Sequence, residues 1–134
     1  MRLIVDTNVF ISGIFFTGPP FLILDAWRKR IVGFVVSSEI LDEYRETGLE
    51  LSSGFPGVDI GPWLALVESR AIMINAAPLD APVCSDPDDD KFLACALSAR
   101  VRLIVSGDKA LQRVSGHAGA TVLSPRQFVD RHLG

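Results

Sequence analysis

Cysteine is scarce, with Cys84 and Cys95 the only two in 134 residues. They cannot build a framework of disulfide staples, and neither belongs to a CxxC pair, so they read as small buried hydrophobes of a reducing compartment. The two histidines, His117 and His132, lie late in the chain without metal-ligand spacing and read as surface residues. Charge is also thin at 22% of residues, with 13 Lys and Arg against 16 Asp and Glu and a net charge of −3. That balance excludes an indiscriminate electrostatic grip on nucleic acid but leaves room for a local basic rim beside an acidic centre. No apolar run reaches membrane-spanning length, and Met1-Arg2-Leu3-Ile4-Val5 meets Asp6 too early for a secretion signal. The expected location is the cytoplasm, with no membrane partner.

What the chain has in plenty is apolar residues, 49% of the total, with a mean hydropathy of +0.33. At this length one core is expected, burying about two-thirds of the extended chain's surface, so residues 1–134 read as a single domain. Apolar residues beyond the needs of a small core suit a covered surface, either a homodimer interface or a bound partner. Phe21, Leu22, Leu24 and Trp27 on the first long helix offer one such stripe, their ordinary alternative being the core.

Short β-branched runs alternate with helical spacing. Leu3-Ile4-Val5 and "IVGFVVS" (31–37) read as buried strands, "IMI" (72–74) as a shorter one, and "RLIVSGD" (102–108) repeats the opening "RLIVDTN". A helix capped by Ser37 or Ser38 is predicted from Glu39 to Thr47, halted near Gly48, with Ile40, Leu41 and Tyr44 inward. Residues 48 to 62, with four glycines and two prolines, read as loop. "WLALVESRA" reads as a helix, "DDKFLACALSARV" as another, and Ser124-Pro125 opens a last one towards His132. This alternation predicts an α/β domain, a three-layer sandwich around a mostly parallel sheet. Ligands of such sheets bind beyond the carboxyl ends of the strands.

Acids sit where that rule places ligands. Asp6 follows the first strand, Asp108 follows the strand at 102–106, and "CSDPDDDKFLACAL" (84–97) puts four aspartates within five residues at the start of a helix. Glu43 lies on the helix after the second strand. Each acid has a plain alternative: Asp6 as a strand-end cap, Glu43 as an exposed helix acid, Asp108 as the N-cap of the next helix, and Asp86, Asp88 and Asp90 as capping or rim residues. If the strands ending at 5 and 106 are neighbours, Asp6, Glu43, Asp89 and Asp108 converge. Converging carboxylates raise one another's pKa unless something positive intervenes, and no lysine or histidine matches Asp6 in position. Hard oxygen donors in that number suit Mg²⁺ or Mn²⁺.

Four segments carry a resemblance. "RLIVDTNVFISGIF", "SSEILDEYRE", "DPDDDKFLACALSA" and "LIVSGDKAL" are similar, in that order, to the four acidic motifs of PIN domains, in particular the toxin ribonucleases of bacterial toxin–antitoxin systems. The similarity runs from about residue 2 to about 128. It implies a Rossmann-like fold and Mg²⁺- or Mn²⁺-dependent hydrolysis of RNA leaving a 5′-phosphate and a 3′-hydroxyl. Matched motif by motif, Asp6, Asp89, Asp108 and Glu43 become the catalytic and metal-holding acids, with Asn8 and Ser106 orienting them. Ser106 stands where many relatives have threonine. Lys109 and Arg113 are the basic residues best placed for substrate phosphates, and Arg28-Lys29-Arg30 is a second basic stretch that also suits a helix C-terminus. Toxin relatives imply a cognate antitoxin protein as partner.

Three rivals stand beside this reading. A haloacid dehalogenase-type phosphohydrolase needs a second aspartate two residues after the first, where this chain has Asn8, and a response-regulator receiver needs an early acidic pair. From another class comes a catalytically silent PIN-like module that binds nucleic acid or protein. Metal-dependent RNA cleavage that vanishes with Asp6 separates it from the enzyme.

Overall fold

The computed structural model describes every residue from Met1 to Gly134. Five strands, β1 (Arg2–Val5), β2 (Gly33–Ser37), β3 (Ile72–Ile74), β4 (Leu103–Val105) and β5 (Thr121–Leu123), form one parallel sheet in the order β3-β2-β1-β4-β5. Seven helices connect and cover it: α1 (Thr7–Phe15), α2 (Pro19–Arg28), α3 (Ser38–Ser52), α4 (Gly61–Arg70), α5 (Asp90–Ala99), α6 (Lys109–Gln112) and α7 (Pro125–Phe128). The last continues into a wider-wound turn, Val129–Leu133. This is the three-layer α/β architecture expected from the alternating pattern.

The central strand explains why the pattern is so plain. Leu3, Ile4 and Val5 are all buried, because both faces of β1 are covered and consecutive side chains alternate between them. A core of 31 buried residues surrounds it. Two aromatic pairs brace that core, Phe10 stacked on Tyr44 with ring centroids 4.2 Å apart, and Trp27 on Phe34 at 4.5 Å.

Connections β1 to β2 to β3 step one way across the sheet, whereas β3 to β4 to β5 step the other. With right-handed crossovers, that reversal puts the two sets of helices on opposite faces. The reversal falls between β1 and β4, paired Ile4 to Ile104 and Val5 to Val105. The carboxyl ends of strands at such a reversal are the place where open α/β sheets hold ligands.

The structure differs from the sequence reading at two element ends and along one apolar stripe, and α4 takes Gly61 and Pro62 from the expected loop. Helix α3 does not stop near Gly48 but runs on to Ser52, so the first five residues of the expected 48–62 loop are helical. Gly48 is there for close approach: a Cβ on it would lie 2.8 Å from Ile60 Cδ1 and 3.3 Å from Ile11 Cδ1. Strand β4 ends at Val105, leaving Ser106 just beyond it. The apolar stripe on α2 is split, since Leu24 and Trp27 are core residues while Phe21 and Leu22 are 38% and 46% exposed.

No single helix is long and apolar enough to cross a membrane. Cys84 and Cys95 are buried free thiols, each pushed up to about 12 chiefly by burial. Both histidines are exposed.

Candidate active site

The site grows out of strand pairing. Asp6 is the first residue after β1, and its backbone N–H still donates to Val105 O at 3.0 Å, extending the β1–β4 ladder by one bond. Its side chain also caps α1, Oδ1 accepting from Val9 N at 2.8 Å. Oδ2 accepts from the Ser106 hydroxyl, across 100 residues of sequence. Ser106, fully buried, accepts in turn from Asp108 N at 3.0 Å, and its carbonyl accepts from Gln112 Nε2 at 2.8 Å. Asp6 and Ser106 therefore lock each other in place as neighbours at the switch point.

A carboxylate only 4% exposed is costly. Burial pushes the Asp6 carboxyl up to about 6, and Asp108 and Glu43 add to the rise, against the lowering effect of the Ser106 and Val9 hydrogen bonds. Asp108 is the N-cap of α6, Oδ1 accepting from Ala110 N at 2.8 Å. Capping and site membership are thus not exclusive for Asp6 or Asp108, because each uses one oxygen on the helix end.

Asp89 comes from the opposite side. Asp86 caps a short 3-10 turn, Pro87–Asp89, with its carboxylate accepting from Asp88 N at 3.0 Å, and this turn delivers Asp89 at the start of α5. Its Oδ2 is buried and has no hydrogen-bond partner. The carboxyl is pushed up to about 7, first by burial and then by the facing Asp108, with Asp86 and Asp6 adding to the rise. Two carboxylates can hydrogen-bond only by sharing a proton, so the pair is strained when both are ionised. Asp90 is held apart as a structural acid, its Oδ1 accepting from Cys84 N at 2.8 Å; burial pushes its carboxyl up, but the bonds from Cys84 and Val83 outweigh it and hold the carboxyl below the usual range.

Glu43 is placed by its neighbour. Tyr44, fully buried, donates its hydroxyl to Val5 O and so fastens α3 to the end of β1. Glu43 then lies beside the acids, where it accepts from the Thr7 hydroxyl and pairs with the Lys91 ammonium. The sequence reading looks for a basic partner only beside Asp6, and the structure supplies one for Glu43. Lys91 reaches it from α5, 48 residues away. Thr7 and Lys91 are the two residues that motif reading passed over, although "DTN" and "DDDK" held them in plain view. Asn8 is exposed, and Ser106 is the side chain that orients Asp6. Lys109 and Arg113 are both exposed, Lys109 next to Asp108 at the start of α6 and Arg113 at its far end. Arg28 and Lys29 are engaged by Asp25.

No group of three or more His, Cys, Asp or Glu side chains stands poised to hold a metal ion. The donor set nevertheless fits one in its chemistry. Asp6, Asp89 and Asp108 are hard oxygen donors, the Asp108 charge adding to the rise at both Asp6 and Asp89, and the buried oxygen of Asp89 lacks any partner. Glu43 fits less directly, since both of its oxygens are already engaged.

Fold and site together define a parallel α/β domain with an acidic centre at its topological switch point. The PIN domain family model matches residues 2–110, most of the chain, and the protein belongs to that family. PIN domains are in general nucleases, typically using divalent metals. A comparison with curated proteins gives no match.

Proposed function

We propose that the protein is a Mg²⁺- or Mn²⁺-dependent endoribonuclease that hydrolyses RNA phosphodiester bonds. It serves in this reading as the toxin of a toxin–antitoxin pair, works as a homodimer and is silenced by an antitoxin protein covering the acidic site. The observation that carries the enzymatic part is the unpartnered, buried Asp89 oxygen opposite Asp108, with Asp6 buried and ionisable at the β1–β4 switch point. A merely structural cluster would gain by replacing such acids with neutral residues. The RNA and toxin parts rest on the four motifs in family order, and the dimer on exposed Phe16, Phe21, Leu22 and Ile31.

Asp6, Asp89 and Asp108 would hold the ion. Bound there, a divalent cation lowers the pKa of water and neutralises charge on phosphoryl oxygens. Ser106 keeps Asp6 in one rotamer and deprotonated, by donating to Oδ2. Thr7 and Lys91 fix Glu43 and offset its charge, and Lys91 can exchange Glu43 for a phosphate oxygen of the substrate. Lys109 and Arg113 attract the backbone of the nucleic acid from the rim.

The experiment is cleavage of end-labelled single-stranded RNA with Mn²⁺ by the parent, Asp6→Asn and Asp108→Asn. Loss of about 100-fold or more in both variants, with helix content retained by circular dichroism, is the expected result. Cleavage that needs no metal, or that Asp6→Asn performs at the parent rate, contradicts it.

A further inference from the structure

An open cavity of about 370 Å³ is lined by the stretch from Ala76 to Pro82, with Glu39 of α3 and Asp90, Lys91 and Ala94 of α5 opposite. The connector that lines it leaves the carboxyl end of β3 and returns to the start of α5, so it crosses the same edge of the sheet that carries Asp6 and Ser106. Both of its ends are fastened. Ala77 N donates to Ser98 Oγ at 2.9 Å, and Cys84 N donates to Asp90 Oδ1 at 2.8 Å, so the cavity is a built feature of the fold. Pro78, Leu79, Pro82 and Ala94 give it apolar walls, while Glu39, Asp80, Asp90 and Lys91 supply the polar groups.

Those polar groups restrict what can enter. Lys91 is paired with Glu43 and Asp90 is occupied by backbone amides, which leaves Glu39 and Asp80 as uncompensated acceptors. Carboxylates repel phosphate, so the phosphate of a nucleic acid stays outside. A flat, neutral group with N–H donors suits the apolar walls and finds acceptors in Glu39 and Asp80. Lys91 marks the junction, lining the cavity while its ammonium touches Glu43 at the acidic site.

We infer that this cavity holds one nucleobase of the substrate, next to the nucleotide whose phosphate lies at the acids, and that it favours a base carrying an exocyclic amine over uracil. The inference rests on the nuclease reading for its ligand class, but the pocket can be tested without cleavage or metal. Cytidine and uridine are the probes, because they share ring size and differ at position 4, amine against oxygen, and at the adjacent ring nitrogen. Isotope-labelled, metal-free protein is titrated with each nucleoside and its backbone amides followed by NMR. Saturable shifts confined to Glu39 and its neighbours and to residues 76–82 and 90–94 are expected, with cytidine binding ~5-fold or more tighter than uridine, the worth of about one hydrogen bond.

Ala94→Phe, which fills the cavity, should abolish the shifts. Glu39→Ala, at an exposed position, should bring cytidine down to the uridine level, and this variant carries the test should Ala94→Phe lose its dispersed spectrum. No saturable shift up to ~20 mM nucleoside, equal binding of the two, or shifts centred on Asp6 and Asp108 instead would overturn the inference. Nucleoside binding at 76–82 by a protein that cleaves no RNA would refute the nuclease and leave the pocket standing.

Discussion

Neutralising Asp6 should stabilise the metal-free protein, and the size of the effect follows from its surroundings. Its carboxyl rises from 3.8 to about 6 on folding, which corresponds to a penalty of ~3 kcal/mol for the ionised form. In Asp6→Asn the amide oxygen still accepts from Val9 N, while Ser106 must turn from donating to accepting. Losing one charge-assisted bond returns about 1 kcal/mol, leaving a net gain of about 2 kcal/mol, or roughly 5 °C or more in Tm at this chain length. The pH dependence has a definite sign. Because the folded pKa exceeds the unfolded one, the native state holds the extra proton between 3.8 and about 6, and parent stability declines as pH rises through that window. The advantage of Asp6→Asn should therefore be near its minimum below pH 4, grow to about pH 7 and then stay level. Thermal melts in EDTA across pH 4 to 8 measure this, and an Asp6→Asn protein that melts lower than the parent at pH 7.5, or a difference independent of pH, refutes the reasoning.

Other substitutions probe separate parts of the account. Lys91→Gln leaves Glu43 without its counter-charge, so it should lower stability by about 1–2 kcal/mol and tighten Mn²⁺ binding in calorimetry; weaker Mn²⁺ binding would count against Lys91 as a counter-ion. Ser106→Ala frees Asp6 Oδ2 and should cost ~10- to 100-fold in metal affinity or cleavage. Gly13→Ala puts a Cβ 2.8 Å from Pro20 O and from Leu24 Cδ1, forcing α2 away from α1, and should cost about 1–3 kcal/mol in urea unfolding. Light scattering should give twice the 14.6 kDa chain mass for the proposed dimer, and the single-chain value would remove it.

The legible part of the fold was the part written locally. Strand β1 announces itself because three buried residues in a row are needed when both faces are covered. The twin "RLIV" segments mark β1 and β4 as equivalents, and that equivalence is what brings Asp6 near Asp108. Contacts that depend on strand order were out of reach. Ser106 meets Asp6 across 100 positions, Lys91 meets Glu43 across 48 and Thr7 meets Glu43 across 36, and no periodicity records such meetings. Gly48 misled for a related reason, since a glycine kept for close packing against Ile60 and Ile11 looks in sequence like a helix stop. Capping and membership of the acidic cluster looked like alternatives for Asp6 and Asp108 only because a sequence does not show that a carboxylate has two oxygens to divide between them.

The central claim is that Asp6, Asp89 and Asp108 share one divalent cation at the β1–β4 switch point. Anomalous scattering from a crystal soaked in Mn²⁺ tests it most directly. The expected result is a peak among these three carboxylates, on the side of the unpartnered Asp89 oxygen. An active crystal whose only manganese peak lies out on Asp86 and Asp88, or elsewhere on the surface, would contradict it.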